Sequence, residues 1–105
     1  MLHALEEKVT EILRALLKIE DDISLDVSAD LVQQIGLDSI EAFDAVATVH
    51  EIIGQPIPNN FNPKVSNSIR LLAEYIQQEF GQEGAQKVLA ADVADLLLNQ
   101  EDDAL

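Results

Sequence analysis

The stretch Gly36-Leu37-Asp38-Ser39-Ile40-Glu41 places a hydroxyl in the first turn of a predicted helix, just after a glycine. Asp38 and Glu41 stand three residues apart, as in a capping box, where each side chain accepts a hydrogen bond from an otherwise unpaired backbone N–H. Capping alone is a sufficient structural interpretation of the two acids. The stretch therefore predicts a helix that begins near Asp38 and exposes Ser39 at its positive end.

Apolar residues recur at helical spacing on both sides of this stretch. The stripe that follows it predicts a helix over about residues 38–53, which ends at Gly54 ahead of two prolines. We predict a first helix over about 2–18, another over about 67–80, and at most one turn near 61–65. The stripes are Leu2, Leu5, Val9, Ile12, Leu13 and Leu16, then Ala42, Val46, Val49 and Ile53, then Ile69, Leu72, Ala73, Ile76 and Phe80.

The segment from Glu20 to Ile35 alternates in part as a strand would, but no second strand is available to pair with it. We therefore predict a long loop that packs back at its end. The residues expected to pack are Leu31, Val32 and Ile35. At the other end of the chain Gly81 stops the third helix, and a new amphipathic stretch predicts a further one. The pattern is that of an all-α bundle with a long first loop and an added C-terminal helix.

Twenty acidic residues against six basic ones give a formal charge of −14 over 105 residues, a length that fits a single domain. So negative a surface repels nucleic acid and anionic lipid and favours basic protein surfaces as partners. The absence of cysteine excludes disulfides, thiolate nucleophiles and cysteine-based metal sites. Neither a secretory leader pattern nor a run of about 18 apolar residues occurs, so we predict a cytoplasmic protein without a membrane insertion.

Ser39 has no partner in the sequence that could activate it as a nucleophile. His50 lies eleven residues further along the same predicted helix, roughly 16 Å away at 1.5 Å per residue, and His3 belongs to another helix. A self-contained triad is therefore not expected, and any modification of Ser39 must come from another enzyme. The helix dipole favours a phosphate attached at this position by about 0.3–1 kcal/mol.

Acidic charge surrounds the serine, because residues 19–63 contain nine acids and no lysine or arginine. The nine are Glu20, Asp21, Asp22, Asp26, Asp30, Asp38, Glu41, Asp44 and Glu51. One interpretation is an ordinary solvated face. The other is a substrate carrier that several enzymes must find quickly, since charge complementarity raises encounter rates more than affinity.

Oxygen-bearing side chains at every second position from Asp22 to Asp30 resemble the start of a calcium-binding loop. Val27 stands where that loop needs glycine, and Gln33 stands where it needs a bidentate glutamate. We therefore predict no specific metal site here, although loose binding of divalent ions to the acids stays open.

Gly36-Leu37-Asp38-Ser39-Ile40 resembles the Asp-Ser-Leu attachment motif of acyl carrier proteins, and the resemblance covers about residues 2–80. It includes the leading helix, the long loop and the acidic second helix, in the family's order and spacing. It continues through Ile57-Pro58 and through Ser66-Asn67-Ser68-Ile69, which opens the last helix of the family. Ile40 replaces the usual leucine with a side chain of equal volume.

The resemblance implies a four-helix acyl-carrier-like bundle in residues 1–80, which a helical extension in residues 81–105 lengthens within the same domain. It further implies that Ser39, next to Asp38, receives a 4′-phosphopantetheine arm from coenzyme A through a separate phosphopantetheinyl transferase. Acyl groups would be carried as thioesters on the arm. The protein would be a non-catalytic monomeric carrier for fatty acid or specialised lipid biosynthesis, of the lipid A or polyketide type.

In this family the acidic second helix is the surface that basic residues of partner enzymes recognise. By position, the resemblance assigns this role to Asp38, Ile40, Glu41, Asp44 and Glu51. The partners implied are acyl-activating enzymes, ketosynthases and acyltransferases. Phe43 and Val46 would line an acyl pocket, with ordinary core positions as the alternative interpretation of both.

Several positions depart from the family pattern. His50 stands where many relatives carry an acid, and we expect either a solvent-facing histidine or one that tunes the recognition face with pH. Asn59, Asn60 and Asn62 replace acids that relatives often carry, so contacts beyond the second helix are not assigned.

The extension carries one lysine and six acids, and its apolar stripe is Leu89, Val93, Leu96 and Leu97. Docking of this stripe on the bundle is expected, because an isolated helix of this length is marginal in water. A partner surface and a lid over the acyl chain are the alternatives.

Two other functions remain compatible with the sequence. A peptidyl or aryl carrier would hold an amino acid or aryl acid on the same arm. An acidic helical adaptor would bind a basic partner without any modification of Ser39.

Overall fold

The computed structural model describes residues 1–95, and within them every regular element is helical. The elements are α1 (Leu2–Leu17), α2 (Leu31–Ile35), α3 (Ser39–Ile53), a 3₁₀ turn (Pro63–Ser66) and α4 (Ile69–Ala90). The predicted all-α class with a long first loop is confirmed. The helix ends predicted near residues 2, 18, 38 and 53 lie within about two residues of those observed.

Side-chain caps begin most of these helices, as the sequence signals predict. Asp30 accepts a hydrogen bond from the backbone N–H of Val32 at the start of α2, and Ser68 accepts one from Leu71 at the start of α4. Asn62 does the same for Lys64 in the 3₁₀ turn. Local chemistry thus fixes where the helices start.

A single hydrophobic core joins α1, α3 and α4, with α1 lying along α4. Leu31 from α2 and Leu37 from the following link add to it. The fully buried large side chains are Leu5, Val9, Ile12, Leu13, Leu31, Val46, Val49, Ile69, Ile76 and Val88. The apolar stripes predicted from the sequence therefore face one common interior.

The long loop between α1 and α2 is held by hydrogen bonds to its backbone. Arg14 donates to the carbonyls of Glu20 and Ile23, at 2.8 and 2.7 Å, and the N–H of Arg70 donates to the carbonyl of Val27 at 2.8 Å. The expectation that Val32 packs back with its neighbours is wrong. Val32 is 54% exposed, because a helix of only five residues turns one narrow face, that of Leu31, to the core.

Gly81 divides α4 into two helical segments, as predicted. Its φ of 63° and ψ of −159° lie outside helical geometry, and the helix resumes at once and continues to Ala90. The predictions of a helix that Gly81 stops and of a further helix beyond it are therefore confirmed. Glycine readily adopts this backbone conformation, and the two helical segments meet at a kink with no loop between them.

Beyond the kink, the described part of the extension packs on the bundle. Ala85 and Val88 are fully buried, and Lys87 donates to the carbonyl of Ile53 at 3.3 Å. Lys8 of α1 donates to the carbonyl of Ala91 at 2.9 Å. Leu89 and Val93 are half-buried against the core, whereas Leu96 and Leu97 lie outside the described residues.

Candidate functional site

Ser39 is the first residue of α3, and its side chain is exposed. Asp38 accepts the backbone N–H of Glu41 at 2.7 Å, and Glu41 accepts the backbone N–H of Asp38 at 3.2 Å, which completes the predicted capping box. Both carboxylates are thus committed to the backbone on either side of the serine. The local fold fixes the position of Ser39 and presents its hydroxyl at the positive end of the helix.

The link between α2 and α3 anchors this helix start in the core. Gly36 ends α2 in the left-handed conformation, with φ of 66°, and its N–H donates to the carbonyl of Val32 at 2.9 Å. Leu37 is then buried, at 6% exposure. Because the residue two positions before Ser39 is held in the core, the serine cannot move far without disturbing the bundle.

An apolar cleft of about 320 Å³ opens beside Ser39. Its walls come from α2, from the first two turns of α3 and from the segment around the 3₁₀ turn. The lining residues are Val32, Leu37, Asp38, Ser39, Ala42, Phe43, Val46, Phe61, Pro63, Ser66 and Asn67. An exposed hydroxyl and an apolar cleft therefore share one edge.

Phe43 and Val46 both line this cleft, but they differ in burial. Val46 is 1% exposed and also belongs to the core, whereas Phe43 is 59% exposed. An ordinary core position is therefore wrong for Phe43. The sequence does not predict this difference in burial, because Phe43 and Val46 lie on the same side of α3. Which of the two side chains is buried depends on the elements that pack against the helix.

The acidic residues of α3 lie at its outer surface. Asp44 and Glu51 are exposed, and Glu41 is half-buried in the capping box. Among residues 1–95, Ile40 is the most exposed large apolar side chain, at 74%. Ile40 and Phe43 are both exposed and stand three residues apart on one side of α3, and Phe43 shares the cleft wall with Val32. This arrangement offers both a charged and an apolar contact to a basic partner.

His50 is buried, at 2% exposure, so the expectation of a solvent-facing histidine is wrong. Its Nδ1 lies 3.1 Å from the carbonyl oxygen of Gln55, and its Nε2 lies 2.9 Å from the hydroxyl of Tyr75. The rings of Phe61 and Phe80 meet it edge-on. His50 therefore lies in the interior and is not part of the surface that the acids of α3 present.

Within residues 1–95, no group of three His, Cys, Asp or Glu side chains converges as a metal site. The acids of the first loop instead bind their own backbone. Asp26 accepts both the N–H and the hydroxyl of Ser28, each at 2.9 Å, and these two hydrogen bonds hold the pKa of Asp26 below its usual value. In the same part of the chain, no helix has the length and apolar character needed to cross a bilayer.

Sequence reasoning missed the wall of the cleft that lies beyond α3. Phe61 follows a segment with two prolines and two asparagines, which carries no helical periodicity. The one available signal is Phe61 itself, a large apolar side chain between two asparagines.

The family model described as "Phosphopantetheine attachment site" matches residues 7–76, from α1 into α4. The match covers well over half of the chain, so this protein belongs to the phosphopantetheine attachment family. It is a phosphopantetheine-bearing carrier protein, and the group is bound covalently. No curated protein and no solved structure matches the chain in these comparisons.

Proposed function

We propose that Ser39 is the attachment residue and that the protein carries fatty acyl groups for fatty acid or specialised lipid biosynthesis in the cytoplasm. One observation carries the proposal: the exposed Ser39 hydroxyl begins α3 at the edge of an apolar cleft. When bound, the arm supplies a terminal thiol for thioester formation, which a chain without cysteine lacks.

Attachment requires that a transferase can reach the Ser39 oxygen and that the fold can accommodate the negatively charged phosphate that is formed there. Ser39 Oγ bonds to the phosphorus and loses its proton, while the bond to the nucleotide part of coenzyme A breaks. The backbone N–H groups of Ser39 and Ile40 precede the first intrahelical hydrogen bond, from Ala42 to Asp38. The helix start thus favours the attached anion by about 0.3–1 kcal/mol.

The transferase must supply the base, because the described residues offer none near Ser39. Asp38 and Glu41 are occupied by the capping box. His50 lies eleven residues along α3, roughly 16 Å from Ser39, and is bonded to Tyr75. The chain therefore acts as a carrier that other enzymes modify and load.

The acids of α3 recognise these enzymes through basic docking surfaces. We assign this role to Asp38, Glu41, Asp44 and Glu51, with Ile40 as the apolar contact at the centre. Ile40 is 74% exposed and stands directly after Ser39, so it meets any enzyme that reaches the serine. The acids raise the rate of encounter, and this contribution falls as salt is added.

The cleft beside Ser39 shelters the acyl chain, with Phe43 and Val46 among its walls. An apolar lining favours a hydrocarbon chain over an amino acid or a polar aryl acid, since these would bring polar groups into it. This lining favours the fatty acyl carrier over the peptidyl or aryl carrier. The mass of the group on the protein purified from its native host separates the two.

Intact-mass analysis after incubation with a phosphopantetheinyl transferase and coenzyme A tests the attachment. We expect a gain of one phosphopantetheine mass, which Ser39→Ala abolishes. Ser24→Ala, at an exposed serine of the first loop, is the matched control and keeps the gain. An unmodified wild-type chain, with a transferase shown to be active on another carrier, would favour the acidic adaptor.

A further inference from the structure

Phe61 contributes to the walls of two clefts. One is the apolar cleft that contains Ser39, and the other is a cleft of about 410 Å³ against α4. Of the residues that line them, Phe61 is the one the two clefts share. Its side chain therefore lies on the boundary between the Ser39 cleft and the second cleft.

The two clefts differ in chemistry. Next to Phe61, the second cleft is lined by the side-chain amides of Asn60 and Gln78 and by the carboxylates of Glu74 and Glu79. A hydrocarbon chain that entered it would displace water from these groups without offering hydrogen bonds in return, which is unfavourable. In the first cleft a hydrocarbon chain would contact the apolar side chains of Val46 and Phe43, so it would displace no water from polar groups there.

The structure holds the ring of Phe61 in place from two sides. It packs edge-on against Tyr75, with ring centroids 5.4 Å apart, and against His50 at 6.4 Å. The two supporting rings are themselves joined by the hydrogen bond between His50 and Tyr75. The backbone N–H of Phe61 donates to the carbonyl of Pro58 at 3.1 Å. A ring fixed in this way acts as a wall and does not swing freely between the clefts.

We propose that Phe61 is a specificity-determining residue, which closes the Ser39 cleft and sets the longest alkyl chain that the protein shelters. The inference rests on the proposed attachment at Ser39. Its substrate class is a saturated acyl group whose end reaches Phe61. Methylenes beyond that length stay in solvent, because Phe61 separates the two clefts and entry into the second would bury the polar side chains beside Phe61.

The test loads Ser39 with saturated acyl groups of increasing length and follows backbone amide chemical shifts by NMR. In the wild-type protein we expect shifts at Val46 and Phe61 that grow with chain length and then level off. The amides of Leu71 and Gln78, which line the second cleft alone, should keep the values of the unacylated phosphopantetheine form at every length. Shifts at these two amides with a long chain on the wild-type protein would overturn the proposal.

Phe61→Leu shortens the wall and keeps an apolar side chain, so it preserves the fold better than alanine. We expect its response to level off at a longer chain, because the smaller side chain leaves more room inside the Ser39 cleft. Leu71→Ala, a change on the second cleft alone, should retain the wild-type length dependence. An unchanged length dependence in Phe61→Leu overturns the role of Phe61 and leaves the carrier function standing. A wild-type chain that accepts no arm on Ser39 overturns both.

Discussion

His50 Nε2 lies 2.9 Å from the hydroxyl oxygen of Tyr75, and this hydrogen bond joins α3 to α4 inside an aromatic cluster. The other ring nitrogen faces the carbonyl of Gln55, which can only accept, so Nδ1 carries the proton. Nε2 and the Tyr75 hydroxyl form the second hydrogen bond of the ring. One buried imidazole thereby satisfies a backbone carbonyl and a phenol at once.

Tyr75 should titrate above its ordinary pKa of 10, because burial disfavours the phenolate and the charge of Glu79 adds to the effect. A pKa raised in the folded state means that the native chain holds this proton more tightly than the unfolded chain. The stability from this group is therefore complete below about pH 10 and is lost as the pH rises through the folded pKa.

Tyrosinate absorbance measures this directly, since Tyr75 is the sole tyrosine and the chain has no tryptophan. We expect the native curve to lie at higher pH than the curve in strong denaturant. Glu79→Gln should shift the native titration curve to lower pH, part of the way toward the curve of the denatured protein. Coincident native and denatured curves would contradict the burial of the phenol.

Asp38 has a structural and an electrostatic role that substitutions can separate. Asp38→Asn keeps an acceptor for the Glu41 N–H, so its stability to urea should stay close to wild type. Asp38→Ala removes the cap and should cost about 1 kcal/mol. Both variants lose the charge and should be modified more slowly by the transferase at low salt, with the difference shrinking as salt is added.

Asp30→Ala is the matched control for this pair, because Asp30 caps α2 in the same way and lies outside α3. It should lose comparable stability and keep a near wild-type rate of modification. Equal rates for Asp38→Asn and the wild type at low salt would argue against recognition through Asp38.

Val88 tests whether the extension is part of the same domain as the bundle. The side chain is fully buried although it lies beyond residue 76, where the family match ends. Val88→Ala should lower the free energy of unfolding by about 2 kcal/mol, with a single cooperative transition. Gln86→Ala, an exposed neighbour, should change little. A separate early transition in the wild-type protein would show instead that the extension unfolds on its own.

Gly81 should resist substitution, because a side chain is strained at its φ of 63° and ψ of −159°. Gly81→Ala should cost about 1–3 kcal/mol in urea denaturation. No neighbouring atom would meet the added methyl group, so the cost arises from the backbone alone. Gln82→Ala, one residue later and exposed, is the control, and equal stability of the two variants would contradict the kink.

Much of the site follows from local chemistry. The capping box, the exposure of Ser39 and the acids of α3 depend on residues within a few positions of one another, so periodicity and capping rules suffice to predict them. His50 shows where such rules stop. Its burial depends on Tyr75 and Phe80 from α4, about thirty positions further along the chain.

The amino acids alone determine an all-helical fold with an exposed serine at an acidic helix start, because capping and amphipathic spacing act between near neighbours. Packing between distant segments settled the remainder: the buried histidine, the exposure of Phe43, and the position of Phe61 between two clefts. Each of these depends on contacts between residues that are far apart in the sequence, and the spacing of residues along the chain does not predict such contacts.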